Sequence, residues 1–261
     1  NQFKYDMAGV GRRQVGSTIK PFLYSLAMER GFTPCDETRN VEQTLFDDLG
    51  RVWKPRNTGR DRYGEMVTLR WGLSKSNNWI SASLMNQLSP YSLKKLIHEF
   101  GLTNQSIDAT QSLCLGSCDA SVSEMVSAYT AFVGKGIRTA PLLVTRIEDN
   151  VGNTVATFTA QKNEVISEES SYRMIEMLRA VINEGTGGRL RRIYKLTADI
   201  GGKTGTAQTP APDIYNALFV CAAPYQNPEI VISVVLENGY SGEYSSLTAA
   251  RILEQYYGVE K

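Results

Sequence analysis

The chain has 261 residues, of which 42% are hydrophobic, so it is long and apolar enough for a sizeable core in one or two domains. Its 28 basic and 27 acidic residues leave a net charge of +1, which indicates no electrostatic attraction to nucleic acid or to an anionic membrane surface. The apolar stretch Ile230–Leu236 is far shorter than the roughly 18 residues of a membrane-spanning helix, so we expect the chain as given to be soluble.

The first half of the chain is predicted to be rich in helix, and the end to be rich in strand. Residues 18 to 30 have apolar side chains at helical spacing, with Pro21 in the first turn and Gly31 as a stop signal. Residues 34 to 64 are rich in polar residues and glycine without a sustained period, which predicts an irregular connection long enough to suspect a function. Further helical patterns cover residues 67–76, 79–88, 91–100, 121–134 and 168–183.

Strand patterns dominate the C-terminal part. Residues 141 to 160 are predicted to form a hairpin that turns between Asp149 and Asn153. Three strands are predicted near residues 198–208, 215–222 and 230–237, and a closing helix near 244–257. Antiparallel strands collected at one end of the chain and packed by helices predict an α+β fold. No repeat or flexible linker is visible, so we expect one domain over residues 1–261.

The single histidine and the four cysteines limit the chemistry. His98 lies in an amphipathic helix pattern and is interpreted as a surface or partly buried structural residue, and multi-histidine metal sites are excluded. Cys114 and Cys118 are separated by Leu-Gly-Ser, a spacing that leaves both a disulfide and two free thiols open. With Cys35 and Cys221 the cysteines form no metal-ligand pattern, and we expect neither a metal nor a cofactor.

Three short motifs with nucleophilic chemistry occur in order along the chain. They are S-x-x-K at Ser17–Lys20, S-x-N at Ser76–Asn78 and K-T-G at Lys203–Gly205. A second S-x-x-K, Ser92–Lys95, lies on the polar face of a predicted helix and is interpreted as a coincidence. S-x-x-K is weak by itself, whereas K-T-G is a rarer chance match, and serine and asparagine at 76–78 are also typical helix caps. Their order and context make the combination specific.

The spacing of Ser17 and Lys20 fits a serine nucleophile with a lysine base. Ser17 follows Gly16 and opens a helix, so Lys20 lies one turn further on the same face and can reach the hydroxyl. A lysine accepts a proton only when it is neutral, which burial and a second nearby cation favour by lowering its pKa. The positive end of the helix also stabilises an oxyanion at Ser17.

Ser76 and Asn78 can contribute to the same site. They lie two residues apart at the end of a helical pattern, so a turn there can direct both side chains into one cleft. The hydroxyl can relay a proton from Lys20 to a leaving amine, and the amide can hold a substrate carbonyl.

The K-T-G strand offers groups suited to a carboxylate. Lys203 supplies a cation and Thr204 and Thr206 supply hydroxyls, and an extended peptide can add to the exposed edge of such a strand. A phosphate-binding loop is the alternative for this glycine-rich sequence, but Thr197 occupies the position where that motif needs glycine.

This set of motifs resembles that of penicillin-binding proteins and class A β-lactamases. The chain as a whole resembles the transpeptidase domain of a bifunctional class A penicillin-binding protein. The segments that support the resemblance are Arg13–Phe22, Pro55–Asn57, Val67–Arg70, Leu115–Gly116, Val122–Met125, Ala128–Tyr129, Gly185–Gly187 and Gly202–Ala207. The resemblance implies a transpeptidase-like antiparallel sheet packed by helices, a helical subdomain and an extracytoplasmic location at the membrane of a bacterium.

The resemblance also implies the catalytic roles. Ser17 would attack the penultimate D-Ala carbonyl of a peptidoglycan stem peptide and release the terminal D-Ala. Lys20 would be the base and Ser76 the proton relay. Lys203, counted among the catalytic residues, would hold the terminal carboxylate together with Thr204 and Thr206. An amine of a neighbouring stem peptide would resolve the acyl-enzyme, and β-lactams would acylate the same serine.

The implied substrate-binding groups come from two motifs. Asn78 would contact the substrate amide, and Thr204, Gly205 and Thr206 would lie along the substrate, with the threonines on its terminal carboxylate. The backbone N–H groups of Ser17 and Thr206 would form the oxyanion hole, each worth about a hundredfold or more in rate.

Some features depart from the family pattern. The chain starts at Asn1, without the membrane anchor and glycosyltransferase domain, and only 16 residues precede Ser17 where the family has two sheet strands. We therefore expect a piece truncated at its N-terminus that self-associates through the uncovered strand near 230–237, or is stabilised by something that covers it. Cys221 and Ala222 stand where the family often has glycine and an aromatic residue, which affects strand packing rather than chemistry.

Three other functions compete with this one: a serine β-lactamase, a penicillin-sensing receptor domain and a structural cell-wall protein. A β-lactamase needs a carboxylate that activates a deacylating water, and no Glu-x-x-Leu-Asn follows Ser76, while Glu124 lies in a helix pattern that the family shares. A receptor would keep Ser17 and Lys20 without an acceptor reaction. The segments around 55–70 and 115–132 favour the enzyme.

Overall fold

The structure, a computed structural model, describes residues 4–46 and 49–258. The helices are α1 (Lys20–Glu29), α2 (Leu69–Ser74), α3 (Asn78–Gln87), α4 (Pro90–Glu99), α5 (Val122–Val133), α6 (Glu168–Asn183), α7 (Arg189–Arg192) and α8 (Gly242–Tyr256), with 3₁₀ helices at Gly16–Ile19 and Gln111–Leu115. Within the described part of the chain, none of these helices combines the length and apolarity needed to cross a membrane.

The strands form one three-stranded sheet and several two-stranded ones. They are β1 (Arg12–Gln14), β2 (Glu37–Arg39), β3 (Leu45–Phe46), β4 (Val52–Trp53), β5 (Met66–Thr68), β6 (Asp119–Ser121), β7 (Ile137–Thr139), β8 (Arg146–Glu148), β9 (Thr154–Thr157), β10 (Lys162–Glu164), β11 (Gly201–Gln208), β12 (Tyr215–Ala223) and β13 (Ile230–Leu236). The predicted α+β class with antiparallel strands is confirmed, because every strand pair is antiparallel.

The three-stranded sheet has the order β11-β12-β13, so β11 and β13 are its edges among the described residues. Lys203 lies opposite Val220, and Val220 lies opposite Ser233. The central strand β12 is buried along nearly its whole length, as a strand with neighbours on both sides requires. Helix α8 packs against β12 and β13, and β11 contacts the 3₁₀ helix Gly16–Ile19. This contact brings the first and third motifs together.

Helix α1 is the central helix of the core, with every residue from Lys20 to Met28 buried. The Phe22 ring lies 4.8 Å from Phe100, 5.6 Å from Tyr129 and 5.5 Å from Phe132, measured between ring centroids. Aromatic pairs at such distances each stabilise a fold by about 0.5–1.5 kcal/mol beyond their area burial. Because α1 directly follows the turn that contains Ser17, this packing also holds the turn in place.

The connection at 34–64 is less irregular than predicted, apart from residues 47 and 48, which lie outside the described part of the chain. It contains β2 and the short hairpin of β3 and β4, whose strands of two or three residues are too short to show an alternating pattern. The predicted helix at 67–76 is wrong at its start, since β5 pairs with β2 and α2 begins only after Thr68. The Thr68 hydroxyl accepts a hydrogen bond from Trp71 N–H at 3.1 Å and so ends the strand with a helix cap.

The other predicted elements agree within a few residues, and the hairpin around 149–153 is formed by β8 and β9. All four cysteines are free thiols, so Cys114 and Cys118 form no disulfide. Burial raises the pKa of each of these two thiols to about 12, which leaves them uncharged at neutral pH. His98 is half-buried in the last turn of α4, as expected of a structural histidine.

Candidate active site

Ser17 lies where three stretches of backbone meet. Gly16 has φ of +51° and Gly116 has φ of +86°, a region that side chains rarely adopt. A Cβ on Gly16 would lie 2.8 Å from the Thr206 carbonyl oxygen, and one on Gly116 would lie 2.0 Å from the Gly16 carbonyl oxygen. Only glycine at these two positions allows the backbone segments to lie so close together. The turn that contains Ser17 therefore packs directly against β11. The Ser17 N–H lies in the first turn of a helix, where such groups lack an intrahelical partner.

Lys20 is completely buried one turn further on. Its Nζ donates hydrogen bonds to the Ser76 carbonyl at 2.6 Å, to Asn78 Oδ1 at 2.6 Å and to Ser76 Oγ at 3.3 Å. The sequence predicted contact between Lys20 and the Ser17 hydroxyl, but in the described part of the chain the hydrogen bonds of Lys20 join it to the second motif.

The environment of Lys20 favours its neutral form. Burial lowers the pKa of Lys20 from 10.5 to about 7, because the apolar core does not solvate an ammonium group. A neutral amine has two N–H donors and a lone pair. In that form the two 2.6 Å bonds to the Ser76 carbonyl and Asn78 Oδ1 use both donors, and the 3.3 Å contact with Ser76 Oγ involves the lone pair. The lone pair can accept a proton.

The turn at 76–78 combines the two interpretations that the sequence left open. Asn77 is a helix cap, since its Oδ1 accepts hydrogen bonds from Trp79 N–H at 2.9 Å and Ile80 N–H at 3.0 Å. Its neighbours Ser76 and Asn78 are turned instead toward Lys20. Ser76 has φ of +53°, a conformation that costs a non-glycine residue roughly 1–2 kcal/mol and is typical of functional sites.

Lys203, from the third motif, contacts the same Ser76 hydroxyl as Lys20 does. It is also completely buried, and its Nζ donates to Ser76 Oγ at 2.9 Å and to the Thr204 carbonyl at 2.8 Å. Burial, and secondly the charge of Lys20, holds the pKa of Lys203 well below its ordinary value. Among the described residues neither lysine has a carboxylate partner, so the charged form of each is unfavourable until an anionic ligand is bound.

The remaining groups of the third motif border the same space. Thr204 is nearly buried, and its hydroxyl oxygen lies 2.6 Å from that of Thr186. Thr206 is exposed, and its hydroxyl accepts a hydrogen bond from Gly242 N–H at 3.3 Å. Gly205 is buried, and a Cβ there would lie 2.9 Å from the Thr18 side chain, so this residue permits β11 to lie against the 3₁₀ helix.

Sequence analysis missed the groups that hold this arrangement. Asn57 Oδ1 accepts a hydrogen bond from Asn78 N–H at 2.6 Å, and Asn57 Nδ2 donates to Asn77 Oδ1 at 3.1 Å. Asn77 in turn donates to Asn40, which is completely buried and whose Nδ2 donates to two carbonyls of the 34–64 connection. Asn57 and Thr186 enter the sequence analysis only as members of the segments Pro55–Asn57 and Gly185–Gly187, with no role assigned. Isolated asparagines in an irregular stretch carry no periodic signal.

The motifs line one cleft with two arms that meet at Ser17. The short arm, about 330 Å³, is bordered by residues that include Ser76, Thr186, Thr204, Gly205 and Glu243. The long arm, about 600 Å³, is bordered by residues that include Trp53, Lys54, Arg56, Gln208 and Tyr215. Ser17, Asn78 and Thr206 border both arms. The cleft therefore brings together residues of all three motifs, and the buried Lys20 and Lys203 reach it through their contacts with Ser76.

The rate of acylation is expected to rise with pH through the pKa of Lys20. Below about 7 the group is an ammonium and cannot take the proton of Ser17, so the rate constant for acylation by a penicillin should fall about tenfold per pH unit. Above about 7 the amine is neutral and the rate should level off. Acylation followed with a fluorescent penicillin between pH 5 and 9 measures this profile, and a rate independent of pH would contradict it.

A serine at a helix start, a buried lysine of lowered pKa and an edge strand with hydroxyls together define the site of a serine acyltransferase. Residues 8–258 match the family described as penicillin binding protein transpeptidase domain, and the chain belongs to that family. It is 30% identical over 223 residues to penicillin-binding protein 1A of Aquifex aeolicus, which covers 85% of this chain. The chain spans 29% of the length of that relative.

Solved structures agree with this assignment at the level of the fold. Penicillin-binding protein 1A from Haemophilus influenzae has a TM-score of 0.81 and 22% identity, covering 97% of this chain and 44% of that one. The imipenem acyl-enzyme of penicillin-binding protein A from M. tuberculosis has a TM-score of 0.76 and 18% identity, covering 92% of this chain and 60% of that one. The expected transpeptidase-like fold is confirmed.

Proposed function

We propose that this chain is a serine D,D-transpeptidase that cross-links peptidoglycan stem peptides through an acyl-enzyme on Ser17. The observation that carries the proposal is the pair of buried lysines, Lys20 and Lys203, that share the Ser76 hydroxyl beside Ser17 without a carboxylate partner among the described residues. Such a site favours a ligand that brings its own carboxylate, as a peptide ending in D-Ala-D-Ala does. Family membership supports the same reaction.

The proposed mechanism starts when the terminal carboxylate of the donor enters the short arm. Thr204 and Thr206 donate hydrogen bonds to it, and the negative charge raises the pKa of Lys203 toward its ordinary value. Neutral Lys20 then takes the proton of Ser17 as the oxygen attacks the penultimate carbonyl. The backbone N–H groups of Ser17 and Thr206 stabilise the oxyanion.

Departure of the terminal D-Ala needs a proton on its nitrogen. Lys20 returns the proton through Ser76 Oγ, which contacts both lysines and is therefore placed for the relay. Asn78 holds the amide of the donor, since one N–H of its side chain remains after the hydrogen bond to the Arg56 carbonyl at 2.6 Å. An acceptor amine then attacks the ester of Ser17, and the same groups act in reverse.

The test is product formation from a donor peptide ending in D-Ala-D-Ala and an amine acceptor, followed by mass spectrometry. A cross-linked product together with free D-Ala supports the proposal. Acylation by penicillin without any turnover of the donor would instead favour a penicillin-sensing receptor domain. Release of D-Ala with water as the only acceptor would indicate a carboxypeptidase.

The whole protein is proposed to be larger than this chain. The relatives that match are penicillin-binding protein 1A sequences, of which the chain spans 29%. We propose that the parent is a bifunctional peptidoglycan synthase, anchored in the cytoplasmic membrane, with this domain on its extracytoplasmic face. β-Lactams are proposed as acylating ligands because they imitate the D-Ala-D-Ala end.

Hydrolysis of a penicilloyl-enzyme is expected to be slow, far below one turnover per second. Glu124, the carboxylate considered for a β-lactamase, is held in a capping box with Ser121, accepts from Thr103 and pairs with Arg12 at 2.7 Å. Glu243 is the carboxylate that borders the cleft among the described residues, and it pairs with Arg189. Loss of the adduct followed by intact-mass spectrometry measures the rate, and many turnovers per second would overturn this expectation.

Self-association is proposed through the free edge of β13. Within the described chain β13 pairs only with β12. A groove of about 320 Å³ lies beside it, bordered by Val234, Val235 and Ile252 and also by Met7, Gly11 and Val122. Two copies of this edge can pair antiparallel about a two-fold axis.

Sedimentation is expected to show a concentration-dependent dimer that Val235→Lys abolishes. The control Val155→Lys, in the exposed strand β9, should leave it intact. A monodisperse monomer with rapidly exchanging amides at 231–236 and full activity would contradict the proposal.

A further inference from the structure

The long arm of the cleft carries an unbalanced positive charge. Lys54 and Arg56 border it, both are exposed, and neither forms an ion pair among the described residues. Among the described residues that border this arm, none is an aspartate or a glutamate. In the same connection Arg60 pairs with Glu42 and Arg62 pairs with Glu65. Lys54 and Arg56 lack such carboxylate partners among the described residues and leave a net positive charge on this arm.

These cations are held by an anchored backbone rather than by a mobile surface loop. The Pro55 carbonyl between them accepts a hydrogen bond from the Trp79 indole N–H at 3.0 Å, and the Arg56 carbonyl accepts one from Asn78 Nδ2 at 2.6 Å. Asn57, the next residue, is bonded to Asn77 and Asn78. The segment 54–56 is thus fixed directly to the turn that carries Ser76 and Asn78.

The position of the long arm indicates which part of a donor peptide would lie beside Lys54 and Arg56. If the terminal carboxylate of a donor lies in the short arm and its scissile carbonyl lies at Ser17, the preceding residues extend into the long arm, which shares Ser17, Asn78 and Thr206 with the short one. Cations on the wall of a cleft select ligands with opposite charge at the matching position.

We propose that Lys54 and Arg56 form a subsite that selects donor peptides with free carboxylates on the residues preceding the D-Ala pair, over the same peptides with carboxamides there. This inference rests on the proposed function for the direction in which the peptide lies. It goes beyond that function because it assigns specificity to two residues outside the three motifs.

The test compares two peptides of equal length that end in D-Ala-D-Ala and differ only in carboxylates or carboxamides on the two preceding residues. Binding is measured by NMR titration on the Ser17→Ala chain, so that acylation does not interfere. We expect the carboxylate peptide to bind about tenfold more tightly at low ionic strength, and salt to reduce this preference. The double variant Lys54→Gln/Arg56→Gln should bind both peptides equally.

A matched control removes two positive charges elsewhere. Lys4→Gln/Lys162→Gln changes two exposed lysines outside the residues that border either arm, and it should keep the tenfold preference. Equal affinity for the two peptides, no binding of either, or a preference that survives in the Lys54/Arg56 variant would overturn the proposal. Absence of penicillin acylation in the parent chain would count against the proposed function instead.

Discussion

A Ser17→Ala variant is expected to show no mass shift after incubation with a penicillin, whereas the parent chain gains one adduct. The hydroxyl is the atom that forms the ester, and loss of a serine nucleophile lowers such rates by roughly a million-fold. The fold should persist, because the Ser17 side chain forms no hydrogen bond that holds the described structure together. Intact-mass spectrometry measures the adduct, and the melting temperature checks the fold.

The second S-x-x-K provides the control for this experiment. Ser92 has the same local spacing to Lys95 but lies in α4, outside the residues that border the cleft. Ser92→Ala should therefore keep the adduct. If the Ser17→Ala chain still gains the label, peptide mapping will locate another nucleophile, and the proposed mechanism fails.

Replacement of Lys20 by methionine is expected to slow acylation by about 10²- to 10⁴-fold, the usual range for loss of a general base. Methionine fills a similar volume in the buried position but carries no lone pair that can take the proton of Ser17. Lys20→Arg should be as slow, since a guanidinium keeps its charge at every accessible pH. The rate constants for acylation by a fluorescent penicillin at pH 8 make the comparison.

Again the coincidental motif gives a matched variant. Lys95 is exposed and lies 3.8 Å from Glu99, so Lys95→Met should leave the rate within about twofold of the parent. An arginine variant at position 20 that acylates at the parent rate would show that the positive charge is what matters there, and it would exclude the role of Lys20 as base.

Much of the fold could be predicted because its elements carry local signals. The helices at 79–88, 91–100, 121–134 and 168–183 appeared within one or two residues, each with an N-terminal capping side chain. The predicted start of α2 was wrong because residues 66–68 form β5 instead. This strand is only three residues long and depends on pairing with β2, far away in sequence. Short strands stabilised by distant partners leave no periodic trace.

The sequence alone predicted which side chains carry the proposed chemistry, because the three motifs are short, contiguous and in a specific order. Their assembly was decided by the tertiary structure, since Ser76 lies 56 residues from Lys20 and 127 residues from Lys203, yet its hydroxyl contacts both. The lowered pKa values of the lysines, the asparagines that hold the turn and the unpaired cations of the long arm also arise only on folding. Burial and hydrogen bonding depend on every element packed around a group, and no local pattern encodes them.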